Sequence, residues 1–224
     1  MSVTPGVLLA LHSSSETLAV GVLEPAEDPV VREFPLGRNL SNELFSCVEQ
    51  VLPARRWGEI GRLAVAIGPG GFTGTRLTVV MARTLAQQLR IPLDGVGSFL
   101  LIARRLLVSN ELLAAHQPRR AAGEALATDG GCWLVQTLPR RGLVAGLYGT
   151  EDEAPGGVVE RQAPRYFDSP DDLGDAPRLE ARVEAAADVG LLLAIAAEGA
   201  RLSRPAPWES VLPLYPTSPV EPRP

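Results

Sequence analysis

A glycine-rich segment between an apolar run and a helical pattern is the feature that most constrains the fold of this 224-residue chain. Residues 63–67 (LAVAI) form an unbroken apolar run, which is typical of a buried central strand. Four glycines follow within residues 68–74 (GPGGFTG), and apolar residues then recur at three- and four-residue spacing through Arg90. A buried strand that turns through glycines into a helix predicts an α/β fold.

The rest of the first half alternates apolar runs with helical patterns. Ser41 is the expected N-cap of the first helix, and Pro53 ends it. The predicted strands cover residues 7–11, 18–23, 30–34, 63–67 and 93–96, and the predicted helices cover residues 41–52, 76–90 and 99–108. The predicted order is therefore β-β-β-α-β-α-β-α.

The second half gives weaker patterns, because 11 of the 20 prolines follow residue 150. Residues 133–138 and 143–148 predict an antiparallel pair, to which residues 158–162 add a third strand, and the proline-free stretch 185–201 predicts a helix. Residues 109–131 predict an irregular connection, and the proline-rich tail 205–224 predicts an extended chain. The expected division is an N-terminal lobe at residues 1–108 and an irregular C-terminal lobe at residues 109–224.

The charged residues exclude several kinds of chemistry. All 21 basic residues are arginine, so a P-loop lysine, a Schiff-base lysine and a kinase-type strand lysine are absent. The net charge of −5 argues against unaided binding of nucleic acid. His12 and His116 are the only two histidines and lie far apart in sequence, which excludes the paired-histidine metal motifs. Cys47 and Cys132 are expected to be small core residues.

The apolar residues argue against a membrane protein. No apolar run approaches the roughly 20 residues that span a bilayer, and the N-terminal segment has no basic region followed by a long apolar stretch. A cytoplasmic location without membrane contact is therefore expected.

The glycine-rich loop leaves two interpretations open. Close backbone approach at a helix start suits an anion, although Thr73 breaks the G-x-G-x-x-G pattern and the Walker lysine is missing. In the other interpretation the loop is structural: Pro69 stiffens its entry, Thr73 caps the helix and Phe72 packs beneath it. The candidate residues are Gly68, Pro69, Gly70, Gly71, Phe72, Thr73, Gly74 and Arg76.

Residues 63–76 resemble the G-P-G-S-F-T-G-x-R signature of the TsaB (YeaZ) family, with Gly71 in place of the usual serine. Further landmarks follow in the family's order: the hairpin at 7–23, residues 40–44, Arg140-Arg141-Gly142 and residues 211–215. The resemblance implies an actin-like, Hsp70-like and sugar-kinase-like (ASKHA) fold of two similar lobes, each a mixed β-sheet with helices. His12 replaces the family's usual aspartate after the first strand, which, with Gly71 and Pro139, argues against residual nucleotide binding.

The resemblance also implies a function without catalysis. TsaB proteins are scaffold partners of TsaD, the metal-dependent subunit that transfers a threonylcarbamoyl group from its adenylate to the adenosine next to the anticodon of ANN-reading tRNAs. The chain would bind and activate a TsaD-type subunit as a heterodimer, and would form a homodimer when alone. A TsaE-type ATPase is an additional candidate partner, tRNA contact would occur only through the complex, and no metal or cofactor of its own is implied.

The resemblance also implies that two helices form the interface with the partner subunit. Residues 41–52 and 76–90 carry wider apolar arcs than one sheet face covers, and in the family these helices form a four-helix contact with a second copy or with TsaD. The double variant Leu44→Glu/Val48→Glu is expected to lose partner binding while the protein stays folded. The alternative is that half of the candidates line the lobe's own core. The candidates are Leu44, Val48, Val51, Leu52, Val80, Met81, Thr84 and Leu85.

Two other functions stay open. An autonomous actin-like enzyme, either a small-molecule kinase or a glycoprotease-like hydrolase, would need aspartates at glycine-rich hairpin turns, and His12 stands at the first such place. A homodimeric binding module without a TsaD partner would form a dimer whose mass TsaD leaves unchanged.

Overall fold

The computed structural model describes residues 6–114, 131–139, 141–151 and 153–216. Most of the predicted irregular connection, Arg140 of the predicted arginine landmark and the last eight residues of the predicted tail lie outside the described residues. Among the described helices, none has both the length and the apolar character needed to cross a membrane.

The first sheet has five strands in the order β3-β2-β1-β4-β5. Strand β2 runs antiparallel to β1 and β3, whereas β4 runs parallel to both β1 and β5. Strand β1 is buried along its whole length, as expected for a strand covered on both faces. The strands are β1 (Val7–His12), β2 (Thr17–Leu23), β3 (Val30–Pro35), β4 (Ile60–Ala66) and β5 (Leu93–Val96).

Helices cover both faces of this sheet. Helices α1 (Leu40–Val51) and α2 (Phe72–Leu89) share one core with Leu18, Val20 and Val22 of β2. Successive side chains of a strand point to opposite faces, so Gly21 faces the other side. There it meets helix α4 (Ala185–Arg201): a Cβ added to Gly21 would lie 2.9 Å from the Leu193 Cδ1 atom. Because α3 (Ser98–Ala114) follows β5, the predicted order of elements in the first half is confirmed.

The start of α1 differs from the prediction. The helix begins at Leu40, its N-cap residue is Asn39, and no side chain caps it with a hydrogen bond. Ser41 therefore lies inside the first turn. Its pattern of small polar residue before an apolar set resembled a cap, but the preceding short 3-10 turn at Gly37–Asn39 already starts the helical path.

Helix α4 packs against β1, β2 and β4 of the first sheet, although the sequence pattern placed it in a C-terminal lobe. The chain forms two compact units, one from residues 1–98 and 183–214 and the other from residues 99–182 and 215–224. This grouping differs from a single boundary at residue 108. Its physical basis is the apolar side of α4, where Val189, Leu192 and Ala196 are fully buried.

A buried ion pair fixes the end of α4 to the sheet. Arg62 of β4 is 3% exposed, and its Nε and Nη2 atoms donate to the Asp94 carboxylate of β5 at 2.6 and 2.9 Å. Its Nη1 atom donates to the carbonyl of Arg204, just after α4, at 2.9 Å. A Cβ added to Gly199 would lie 2.6 Å from Arg62 Nη2, so the guanidinium needs a glycine in the last turns of the helix.

The C-terminal segment runs past the edge of β5. The amide of Leu93 donates to the Ala206 carbonyl at 2.9 Å, and the amide of Leu214 donates to the Ile67 carbonyl at 2.7 Å. Apart from a short 3-10 turn at Trp208–Ser210, residues 205–216 have no regular secondary structure. The predicted extended tail agrees with this part of the segment.

The second sheet has the order β8-β7-β6-β9, with three antiparallel strands and β9 parallel to β6. Trp133 and Phe167 meet edge to face on one side, with ring centroids 5.6 Å apart. The predicted antiparallel pair is confirmed, and β8 is longer than its predicted strand. Both sheets are mixed, as expected of the two-lobed actin-like fold. The strands are β6 (Cys132–Leu138), β7 (Gly142–Thr150), β8 (Val158–Phe167) and β9 (Arg178–Glu180).

Candidate functional site

The glycine-rich loop packs directly against the turn between β1 and β2. The amide of Gly71 donates to the Ser14 carbonyl at 3.0 Å. A Cβ added to Gly70 would overlap the same oxygen, and one added to Gly74 would lie 2.9 Å from the Ser13 carbonyl oxygen. The close backbone approach that glycine permits is therefore used here for contact with the neighbouring hairpin.

Buried hydroxyl groups reinforce this contact. The Oγ atoms of Ser14 and Ser98 are 2.5 Å apart, and Ser13 Oγ lies 2.7 Å from Thr78 Oγ1 on α2. The amide of Ser98 in turn donates to the Gly68 carbonyl at 2.7 Å. Polar groups buried in this way cost free energy unless they are paired, so these bonds hold the hairpin, the loop and the start of α2 in one arrangement.

Two details of the predicted structural loop are wrong. Helix α2 begins at Phe72, four residues before the predicted start, so Thr73 lies within its first turn and does not cap it. The N-cap residue is Gly71, and no side chain caps the helix with a hydrogen bond. Phe72 does not pack beneath the loop either, since it is 43% exposed at the helix start. Pro69 is buried behind a cis Gly68–Pro69 bond, and Arg76 is exposed one turn further along α2.

The eight predicted interface residues divide between core and surface. Four are in the core: Leu44, Val48, Leu52 and Met81 are each at most 4% exposed. Val51 and Leu85 are partly buried and pack against that core. Val80 is 52% exposed, and Thr84 is also exposed. Glutamate at Leu44 and Val48 would therefore place carboxylates inside the first unit, so the expectation that this double variant folds does not fit their burial.

Phe45 is an exposed aromatic residue that the predicted interface set omits. Its side chain is 58% exposed, and its ring centroid lies 6.3 Å from that of Trp57. The sequence held a signal for it, since position 45 is rotated about 100° from Leu44 and lies off the stripe formed by positions 44, 48 and 51. Phe45 on α1 and Val80 on α2 are the large apolar side chains that these two contacting helices leave exposed in their interiors.

The C-terminal segment borders α2. The guanidinium carbon of Arg83 lies 5.8 Å from the centroid of the Trp208 ring, in a cation–π arrangement. Trp208 also packs against the core of the first unit. Arg83 is therefore held in place at the edge of the α2 surface.

The two cysteines and His12 have reactive side chains, and all three are buried. Cys47 lies on the core side of α1, where burial, with a contribution from the Glu43 carboxylate, raises the pKa of its thiol. Cys132 is also buried, and His12 is completely buried at the end of β1. Across the described ranges, no group of three or more histidine, cysteine, aspartate or glutamate residues is arranged to hold a metal ion.

Comparison with known proteins identifies the family. The family model of TsaD, tRNA N6-adenosine threonylcarbamoyltransferase, matches residues 36–157, more than half of the chain. The chain is 35% identical over 95 residues to the tRNA threonylcarbamoyladenosine biosynthesis protein TsaB of Bacillus subtilis (strain 168). That match spans 41% of each protein, so it covers less than half the length of this relative.

Two solved structures have the same fold. YeaZ from Pseudomonas aeruginosa has a TM-score of 0.67 and 17% identity, with 94% of this chain and 99% of that chain covered. A protein described as having similarity to peptidase YEAZ from Pseudomonas aeruginosa has a TM-score of 0.68 and 18% identity, with 95% and 100% covered. These two structures show the fold, and the match to the TsaD family model over more than half of the chain shows that the protein belongs to that family, with a TsaB protein among its relatives.

Proposed function

We propose that the chain is a non-catalytic subunit in the synthesis of threonylcarbamoyladenosine in tRNA, and that it binds and activates a TsaD-type subunit. The match to a TsaB protein supports the pathway, and the match to the TsaD family model supports a shared ancestry with the catalytic subunit. Because tRNA is the substrate of the proposed complex, we infer a cytoplasmic location.

The observation that carries this proposal is the surface of α1 and α2. Phe45 and Val80 are each more than half exposed, on two helices that contact one another. Large apolar side chains left exposed on two contacting helices favour a contact site for another protein, because covering them removes apolar area from water. We therefore narrow the proposed interface to Phe45, Val80 and Thr84, with Val51 and Leu85 at its border.

The residues of the chain support a role without catalysis. It has two histidines, and the one that the structure describes, His12, is buried at the end of a strand. An actin-like kinase would need acidic side chains at the hairpin turn and the glycine-rich loop. Here the backbone bond from Gly71 to Ser14 joins the two, and the hairpin hydroxyls of Ser13 and Ser14 bond to Thr78 and Ser98. We propose that the TsaD-type subunit supplies the chemistry and that tRNA, and a TsaE-type ATPase if present, are reached through the complex.

The test is the mass of the protein by light scattering after gel filtration, alone and with the TsaD-type subunit of the same cell. A one-to-one complex that replaces a homodimer is expected. The variant Phe45→Glu/Val80→Glu should stay folded and lose the complex, because two carboxylates would lie at the apolar centre of the interface. The matched control is Val30→Glu/Leu202→Glu, at two residues that are each 49% exposed and lie outside α1 and α2.

Two outcomes would contradict the proposal. A mass that the TsaD-type subunit leaves unchanged would favour a homodimeric module with another role. Formation of the modified nucleoside by the TsaD-type subunit at an equal rate with and without this chain would remove the activating role even if a complex forms.

A further inference from the structure

We propose that Arg76, Arg83 and Arg90, at one side and the end of α2, bind the phosphate backbone of tRNA at the rim of the partner-binding face. We call these three residues the basic row. This inference rests on the proposed function, in which tRNA is the substrate of a complex with a TsaD-type subunit. It adds which residues of this chain contact the RNA.

The basic row has no opposing charge on its own helix. Helix α2 (FTGTRLTVVMARTLAQQL) contains Arg76 and Arg83 and no acidic residue, and Arg90 follows it directly as the C-cap residue. Arg76 and Arg90 are exposed, and Arg83 is partly buried. Among the described residues, no carboxylate forms an ion pair with any of the three. Three positive charges are therefore available to a negatively charged partner.

The arginines share one side of α2. Positions seven apart in a helix nearly coincide after two turns, and Arg76 and Arg83 lie about 40° and about 60° from Val80 in the same direction. The rise between these two arginines is about 10.5 Å, so each can meet a different phosphate group of one RNA strand. Arg90 comes seven residues later and extends the row just beyond the last turn.

The basic row lies on the side of α2 away from α1. A Cβ added to Gly74 would lie 3.1 Å from the Leu40 Cδ2 atom at the start of α1. Gly74 lies about 120° from Val80, in the direction opposite to the arginines. On the other side, Arg83 meets Trp208 of the C-terminal segment. A partner subunit that covers Val80 would therefore leave the basic row at the rim of the interface, where RNA can reach it.

Trp208 holds Arg83 in an arrangement that suits phosphate binding. A guanidinium group that lies over an aromatic ring keeps N–H groups for hydrogen bonds to another molecule. Because the ring already restrains the side chain, less side-chain entropy is lost when a phosphate group binds. Glu209, the residue after Trp208, is exposed, but in the described part of the chain it forms no ion pair with Arg83.

An RNA backbone is the partner that this row fits. Its phosphate groups form a linear series of negative charges, and a guanidinium group can bind a phosphate with two parallel N–H bonds. Thr84 and Gln87 are exposed on the same helix and can donate hydrogen bonds to phosphate or sugar oxygens. Three arginines on a chain of net charge −5 are too few for unaided binding, so the row is expected to add to the RNA affinity of the complex.

The test measures binding of an unmodified, fluorescently labelled ANN-reading tRNA to the complex of this chain with the TsaD-type subunit, over a range of salt concentrations. Arg76→Gln/Arg90→Gln leaves Arg83 in place on Trp208 and should raise the dissociation constant on the order of 10-fold at low salt. The slope of its logarithm against the logarithm of salt concentration should fall by about 1.5, because each lost phosphate contact removes about 0.7 to 0.9.

The matched control is Arg32→Gln/Arg201→Gln, which removes two exposed arginines from β3 and α4 and should bind tRNA like the wild type. The mass of each complex is measured in parallel. The inference is overturned if Arg76→Gln/Arg90→Gln binds tRNA no more weakly than the control. It is also overturned if this variant loses the TsaD-type subunit, because the row would then contact an acidic protein surface. In both cases the wild-type complex still forms and the proposed function stands, whereas a wild type that forms no complex removes the proposed function and the inference with it.

Discussion

The glycine-rich loop and the outer surface of α1 and α2 were both candidate sites, and the structure treats them in opposite ways. In the loop, Gly70 and Gly74 lie against the serine turn of the first hairpin, so the unusual composition is accounted for by contacts inside the protein. On the helices, the core does not use Phe45 and Val80, which remain exposed. An unusual sequence pattern is therefore a functional candidate only where the folded protein leaves its side chains exposed, without contacts inside the protein that account for them.

The largest expected effect separates the inner and outer sides of α1. Leu44→Glu/Val48→Glu should unfold the protein, because both side chains are buried and two carboxylates would lose their hydration. The cost, of order 5 kcal/mol or more, is comparable to the whole stability of a domain. Circular dichroism and thermal melting measure it.

Phe45→Glu/Val80→Glu is the comparison for this variant and should keep its melting temperature within a few degrees. A folded Leu44→Glu/Val48→Glu protein that has lost only its partner would show that these two positions face outward.

The second effect tests whether the loop is closed by packing. Gly70→Ala should destabilise the protein by about 1–3 kcal/mol, because the new methyl group overlaps the Ser14 carbonyl. Gly71→Ala is the matched control: no atom lies within 4 Å of its added Cβ, and its φ of −57° suits alanine. Denaturant unfolding of both variants measures the difference. Equal stability of the two would mean that the loop does not depend on contact with the hairpin.

The smallest effect concerns the hydroxyl bond between the hairpin and α2. Ser13→Ala should cost about 1 kcal/mol, because it removes one buried hydrogen bond. The Thr78 hydroxyl can still donate to the carbonyl oxygen of Gly74 or Thr75, each at 3.2 Å, so the variant leaves no unpaired hydroxyl group at this bond. Urea unfolding measures the change, with Ser46→Ala on the exposed side of α1 as the control. A loss of stability as large as that of Gly70→Ala would contradict the expectation that Ser13 contributes one hydrogen bond alone.

The order of strands and helices in the first half could be predicted because it depends on local periodicity. The unbroken run at residues 63–67 and the glycines after it predict a buried strand and a helix wherever they occur. Local pattern is less informative about helix starts: α1 begins at Leu40, and its N-cap residue Asn39 forms no side-chain hydrogen bond to the helix.

Which apolar residues are exposed could not be predicted in the same way. Val80 and Met81 are neighbours in sequence, yet one is 52% exposed and the other 4%. The difference depends on where the sheet and α1 lie, which is a property of the tertiary structure. The predicted interface residues accordingly come from both sides of these helices: Leu44, Val48 and Met81 are buried, whereas Val80 and Thr84 are exposed.

The position of α4 depends on contacts between distant parts of the chain. Arg62 and the Arg204 carbonyl are 142 residues apart in sequence, and Gly21 makes room for Leu193. The sequence around one residue of such a pair does not indicate which distant residue it contacts. A helix near the C-terminus is therefore assigned from sequence to the lobe that precedes it.

The return of α4 to the first sheet sets an order of events during synthesis. On the ribosome, β1 to β5 emerge first, yet the face of the sheet that bears Gly21 stays uncovered until residue 201 has been made. All of residues 99–182 are translated in the meantime, so the first unit can be completed only after most of the second has been made. A nascent chain of this protein is therefore expected to carry an uncovered sheet face while residues 97–201 are made, which is the stage at which chaperones would bind it.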